Sequence, residues 1–426
     1  MAFINGTNGN DTIRTAAAGG SLGGLPDATD LDDTINGLGG DDLIAAGGGN
    51  DQVDGGDGRD YTYGGAGDDV LRTGDNSAGA SERLFGETGN DDLTGSLDTG
   101  NLHFLFGGDG NDTIHGRTNS VNLADYADRT LGVVANLALG TAVVAGSETD
   151  TLVDVRGFRG GVGNDQVTGS DFSDIILPGL GNNVIAGGAG LDSLRYGDIA
   201  GSVSIDLATG TAIKSADGST DSFSGIEGAQ GTNGDDTLLG DGNDNEFRGL
   251  AGTDLIDGRA GFDIINYNSF FRGSPGYFAP TGDFPLTAGV SVNLAAGTAT
   301  DPWGFTDTLV SIETAQGTPF ADDMTGVALA GGARSQLRGL GGNDTIRGTG
   351  ADTSITASYT NDPAAVKINF GSTDAALGGV VVAAGTAHDG FGGTDTLIGV
   401  RSARGSAQND VIQGGTAGDR LEGEGG

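Results

Sequence analysis

Residues 33–71 read DTINGLGGDDLIAAGGGNDQVDGGDGRDYTYGGAGDDVL, and their spacing decides the fold. Asp33, Asp42, Asp51, Asp60 and Asp69 stand nine residues apart, and the residues two further on are Ile35, Ile44, Val53, Thr62 and Leu71. The segments between them are rich in glycine, so the unit is GGxGxDxUx with U apolar. Six glycine-rich residues make a tight turn, because glycine tolerates positive φ, and the last three form a short strand. Two such units close one coil, which stacks each turn on the turn eighteen residues away.

The register of nine returns at Asp165, Asp174, Asn183 and Asp192, with Val167, Ile176, Ile185 and Leu194 at U. It returns again at Asp236, Asn245, Asp254 and Asp263, with Leu238, Phe247, Ile256 and Ile265, and at Asp410 and Asp419, with Ile412 and Leu421. Small insertions do not destroy it at Glu82, Asp91, His103, Asp112, Asp322, Ser335 and Asp344, and it is already present at Ala2 and Asp11. A longer repeat starts at Tyr126, Tyr196, Tyr267 and Tyr359. Each tyrosine leads to a β-rich stretch and then to a Thr-Asp pair, ending at Asp150, Asp221, Asp307 and Asp395. Repeats on these scales indicate a solenoid in which each unit buries its apolar face by stacking on its neighbours. The chain is therefore expected to be all-β, an elongated right-handed parallel β-roll or β-helix. Its expected segments are a nonapeptide block at 1–120, connector-plus-nonapeptide units at 121–196 and 197–268, a unit with an aromatic and proline insertion at 269–352, and a last unit at 353–426.

Composition agrees with a thin core. The 426 residues include 85 glycines and are only 36% hydrophobic, too little apolar material for several large conventional cores. Twenty basic against 59 acidic residues give a net charge of −39, so self-repulsion opposes a compact state unless cations neutralise it. Nucleic acid is an unsuitable partner, since phosphate binding needs basic patches. The absence of cysteine excludes disulfides and thiolate metal sites. No apolar run approaches a membrane span, so no membrane insertion is expected, and the start Met-Ala-Phe-Ile-Asn-Gly reads as lacking a cleaved signal peptide.

Stacked turns bring position-six carboxylates together with backbone carbonyls, and hard oxygen donors of this kind select Ca²⁺. The candidate ligands are Asp33, Asp42, Asp51, Asp60, Asp69, Asp91, Asp112, Asp165, Asp174, Asp192, Asp236, Asp254, Asp263, Asp322, Asp344, Asp410 and Asp419. Fully acidic stacked pairs are Asp33 with Asp51, Asp42 with Asp60, Asp51 with Asp69, Asp174 with Asp192, and Asp236 with Asp254. Pairs that contain Asn183 or Asn245 replace a carboxylate with a neutral amide and should bind more weakly.

In these nonapeptides the chain resembles the repeats-in-toxin family of type I secreted bacterial proteins. That resemblance implies a parallel β-roll with many Ca²⁺ ions in its turns, export independent of a signal peptide, and folding outside the cell. The Tyr-to-Thr-Asp units are similar to connectors found between such blocks.

Catalytic signatures are missing. His103, His115 and His388 are scattered with no HExxH, there is no GxSxG, and Lys214 and Lys367 follow no phosphate loop. Carboxylates are abundant, but none is singled out as an acid–base pair, so no enzymatic activity is expected. Phe270, Phe271, Tyr277, Phe278 and Phe284 lie among Pro275, Pro280 and Pro285, and read as an aromatic flap over the roll or a partner-binding loop. The register runs from residue 2 to a stop inside a nonapeptide, which leaves two readings: a segment of a longer protein, or open ends that associate head to tail. The corresponding functions are an extracellular structural protein of a surface layer, filament or biofilm, and a calcium-folding module of a larger secreted adhesin or polysaccharide-active or hydrolytic enzyme.

Overall fold

The structure, a computed structural model, describes residues 2–14, 21, 27–74, 81–97, 102–117, 120–144, 148–268, 286–329, 333–348, 354–416 and 418–425. The aromatic and proline insertion lies outside them. Among the described residues there are β-strands and turns but no helix, and so no helix long and apolar enough to cross a membrane. Two compact units are present, one of Met1–Ile199 with Thr211–Ile226, the other of Ala200–Gly210, Glu227–Phe271 and Phe284–Gly426.

Within the first unit the strands go alternately to two sheets, as a coil of two nonapeptides requires. Thr34–Asn36 pairs in parallel with Gln52–Asp54, and that strand pairs with Val70–Arg72, so Ile35, Val53 and Leu71 form one row. Leu43–Gly48 pairs with Tyr61–Ala66 in the other sheet and places Ile44 beside Thr62. The second unit repeats this, with Leu238 beside Ile256 in one sheet and Phe247 beside Ile265 in the other. The all-β parallel roll read from the spacing is the observed architecture.

Strand length follows from the repeat. Three residues offer one inward position, and U fills it: Ile35, Ile44, Leu71, Leu238, Phe247, Ile256 and Ile265 are fully buried. Along these rows the core is a file of single side chains, and in the first unit a further apolar cluster of Phe104, Val121, Leu123, Ile175 and Leu177 is buried as well. Phe247→Ala is expected to lower the unfolding free energy of the calcium-loaded protein by about 3–5 kcal/mol, read from its urea midpoint.

Insertions leave the stack intact, since Leu71 pairs with Leu93, 22 residues on, as other rows pair at 18. The connectors add something that the spacing does not foretell. In the first, Val133–Asn136 and Thr141–Val144 form an antiparallel hairpin, and Glu148–Val153 returns antiparallel to Thr141–Val144 while pairing in parallel with Thr113–His115. One sheet thus gains inserted antiparallel strands, while the other continues in parallel from Val121–Asp125 to Gly157–Arg159.

Candidate metal sites

The turn places position six of the nonapeptide at the inner rim of the roll. From Asp33 to Asp344 all the candidate aspartates are buried; Asp410 and Asp419 are half-buried. Along most of the ladder the backbone N–H at position six donates to the Oδ1 of the aspartate one coil on, while that of Asp263 donates to Glu313 Oε2 and that of Glu82 to His103 Nδ1. Asp33 donates to Asp51 at 2.6 Å, Asp51 to Asp69 at 2.7 Å, Asp69 to Asp91 at 2.8 Å and Asp91 to Asp112 at 2.9 Å. Asp42 to Asp60, Asp174 to Asp192, Asp236 to Asp254 and Asp322 to Asp344 are the same contact at 2.7–2.9 Å. All five stacked pairs read from the spacing are brought together, and so are Asp91, Asp112, Asp322 and Asp344, which keep the register across small insertions. Asn183 and Asn245 keep the ladder, accepting from Asp165 and donating to Asp263, each at 2.8 Å.

Position two, four residues before the aspartate, divides the turns into two kinds. In one kind it takes left-handed backbone, with φ of 111° at Gly47 and Gly65, and does so even where it is Leu38, Glu87, Leu250, Arg259 or Leu340. An L-residue in that conformation costs about 1–2 kcal/mol, so the surrounding coil imposes it. Here the second carboxylate oxygen is stranded. Oδ2 of Asp42, Asp51, Asp60, Asp69, Asp91, Asp112, Asp254 and Asp263 is buried and accepts no hydrogen bond among the described residues.

In the other kind, position two is Ser or Thr and caps the carboxylate. Thr232 donates its N–H to Asp236 Oδ2 at 2.6 Å and its hydroxyl to Oδ1 at 3.0 Å; Ser170, Thr318 and Ser406 do the same to Asp174, Asp322 and Asp410. Thr29 caps Asp33 and Thr7 caps Asp11 in the same way. Asp419 instead accepts from the Gly415 N–H and pairs with Arg401.

Burial raises the carboxylates in both kinds of turn, the capped Asp174 and Asp236 to about 6 and Asp322 to about 7. Burial pushes Asp69 up to about 7, assisted by Asp51 and Asp91 and opposed by the amide bond from Asp51. Burial raises Asp42, Asp112 and Asp263 to about 7 and Asp254 to about 8. A buried carboxylate without a compensating charge is costly, so these columns call for protons or a cation.

The sequence model of a family described as the RTX calcium-binding nonapeptide repeat (4 copies) matches residues 3–17, 27–62, 63–77, 104–118, 159–195, 230–265, 329–354 and 402–426. The chain is an RTX-type repeat protein. No curated protein matches it. The RTX repeats bind calcium, and the stranded, buried Oδ2 atoms suit a hard cation that neutralises stacked carboxylates. Among the described residues no three His, Asp or Glu side chains converge as a metal-holding group, so carbonyl oxygens must complete each ligand set. They are at hand: the carbonyls of Gly47 and Gly49 face Gly65 and Gly67 of the next turn so closely that a Cβ on either would collide.

Two further ladders were not read from the sequence. At position five, Asn or Asp side chains accept the N–H of the next coil, as Asp32 does from Asn50 at 3.0 Å and Asn50 from Asp68 at 3.1 Å. The connector tyrosines also find partners in the Thr-Asp pairs: the Tyr126, Tyr196 and Tyr267 hydroxyls donate to Oδ2 of Asp150, Asp221 and Asp307 at 2.8–2.9 Å. Those aspartates take the position-six place beneath Asp112, Asn183 and Asp254. The common recurrence of Tyr and Thr-Asp was the available signal.

Proposed function

We propose that this RTX chain works outside the cell as a structural protein whose folding is switched on by calcium, and that it has no catalytic role. The observation that carries this reading is the column of buried aspartates with stranded oxygens, which makes a metal-free roll electrostatically unfavourable at neutral pH. Calcium at sites of roughly 10⁻⁴ to 10⁻³ M affinity would be scarce in a cytosol and plentiful in an external medium, so a chain of this kind stays unfolded through export and folds on arrival. Type I secretion and assembly of copies into a surface layer or filament belong to the same reading.

Far-UV circular dichroism with light scattering during a Ca²⁺ titration, with Mg²⁺ as control, is the test. A coil-to-β transition specific to Ca²⁺ is expected, with scattering that rises alongside it as copies assemble. A β signal unchanged in excess chelator at neutral pH would sink calcium-switched folding, and a flat scattering trace would sink assembly.

A further inference from the structure

Three connectors end their hairpins in the same way and place a different residue at the same point. Lys214 N–H donates to the Ser219 carbonyl, Asp301 N–H to that of Phe305 and Asp389 N–H to that of Gly393. The residue two before each pairs with the Thr-Asp aspartate: Ala212 with Asp221, Ala299 with Asp307 and Ala387 with Asp395. Each of those aspartates accepts the position-six N–H of the turn before it, from Asn183, Asp254 or Asp344. Lys214, Asp301 and Asp389 are therefore structural equivalents.

Lys214 shows what the place accommodates. Its ammonium is fully buried and donates to Asp221 Oδ1 at 2.7 Å and to the carbonyls of Gly179 and Gly181, positions two and four of the Asn183 turn, at 3.0 and 2.6 Å. One carboxylate and two turn carbonyls surround a positive charge, and with Asn183 neutral the group of side chains carries no net charge.

At the equivalent places Asp301 stands with Asp307 and Asp389 with Asp395, all four carboxylates buried and no lysine among them, while Asp254 and Asp344 hold position six of the turns before them. Oδ2 of Asp301 and Asp389 is buried and without a hydrogen-bond partner among the described residues. Burial raises Asp389 and Asp344, and the neighbouring Asp395, Asp322 and Asp389 raise Asp344 further.

From this equivalence we infer that Asp301 and Asp389 complete two more calcium sites, one in each of these connectors, at the place where Lys214 supplies a built-in cation. Each site uses the connector aspartate, the Thr-Asp aspartate and carbonyls of the turn before it, whose positions two and four are Leu250 and Gly252, or Leu340 and Gly342. The Lys214 turn needs no metal. The inference rests on calcium-switched folding and adds where the ion is and is not required.

Equilibrium dialysis of the full chain against calcium at neutral pH tests it. D301K and D389K are each expected to bind one calcium fewer than the parent. K214D is expected to bind one more. Folded D301K and D389K that bind as much calcium as the parent would overturn the inference. Should the lysine variants not regain β structure, D301N and D389N keep the shape and remove one charge: loss of an ion supports the sites, and an unchanged count overturns them. A parent chain that binds no calcium is a different result, and it would defeat the function proposed above.

Discussion

Stripped of calcium, the chain is expected to gain β structure when the pH is lowered from about 8 to about 5, since protons can replace the cation. The folded pKa values set the sign. Burial lifts Asp51, Asp60 and Asp91 to about 6, Asp42, Asp69 and Asp112 to about 7 and Asp254 to about 8, all above the ordinary 3.8. The metal-free roll therefore holds more protons than the coil between those limits. The stability this confers is fully present below the unfolded value and is lost as pH rises through the folded ones. Inside that window each such carboxylate contributes up to about 1.4 kcal/mol per pH unit, and the groups act on one cooperative stack. With calcium bound the charges are balanced without protons, so the same scan should show β structure at pH 8 and release of the ion on acidification. The scan should stop near pH 5, above the isoelectric point of about 4.1, where loss of net charge would precipitate the chain. Circular dichroism on dialysed protein checks it. A coil that persists at pH 5, in a chain that folds with calcium at pH 7.4, would mean that carboxylate repulsion and burial are not what hold the metal-free protein open.

Much of this was legible because a period of nine with one aspartate and one apolar residue leaves little freedom. Once Asp33 and Asp51 stack, Ile35 and Val53 must share a row, and the pairs that follow are determined. Contacts that depend on a side chain's reach were not legible. The spacing presents Asp69 and Asp236 as the same position, yet a glycine at position two strands one carboxylate and Thr232 satisfies the other. The signal was present in a Ser or Thr four residues before Asp11, Asp33, Asp174, Asp236, Asp322 and Asp410, but its meaning requires the turn geometry. In the sequence Lys214 stands out only as a lysine that follows no phosphate loop. Its contacts with Gly179 and Gly181, 35 and 33 residues away, exist because an inserted hairpin folds back on the coil.

The difference between the two kinds of turn gives the second large effect. Asp69→Asn is expected to remove calcium from its site and to raise the calcium concentration needed for folding, whereas Asp236→Asn should leave the number of bound ions unchanged. The change at Asp69 is specific to charge, because Asn183 shows that an amide oxygen keeps the ladder bond, accepting from Asp165 at 2.8 Å. Only the charge and the acceptor at Oδ2 are lost, and these are what a cation would use. At Asp236 the Thr232 N–H and hydroxyl already occupy the carboxylate, and Val203 N–H donates to it as well. Replacing it disturbs hydrogen bonds worth about 1–3 kcal/mol, a loss of stability that denaturant reports and calcium counting does not. The converse change, Thr232→Gly, opens the turn and strands Oδ2, so it should create a requirement for calcium where there was none. Equal loss of calcium from the Asp69 and Asp236 variants would mean that the cap yields to the ion. The hydroxyl would then be a placeholder, and both kinds of turn would load alike.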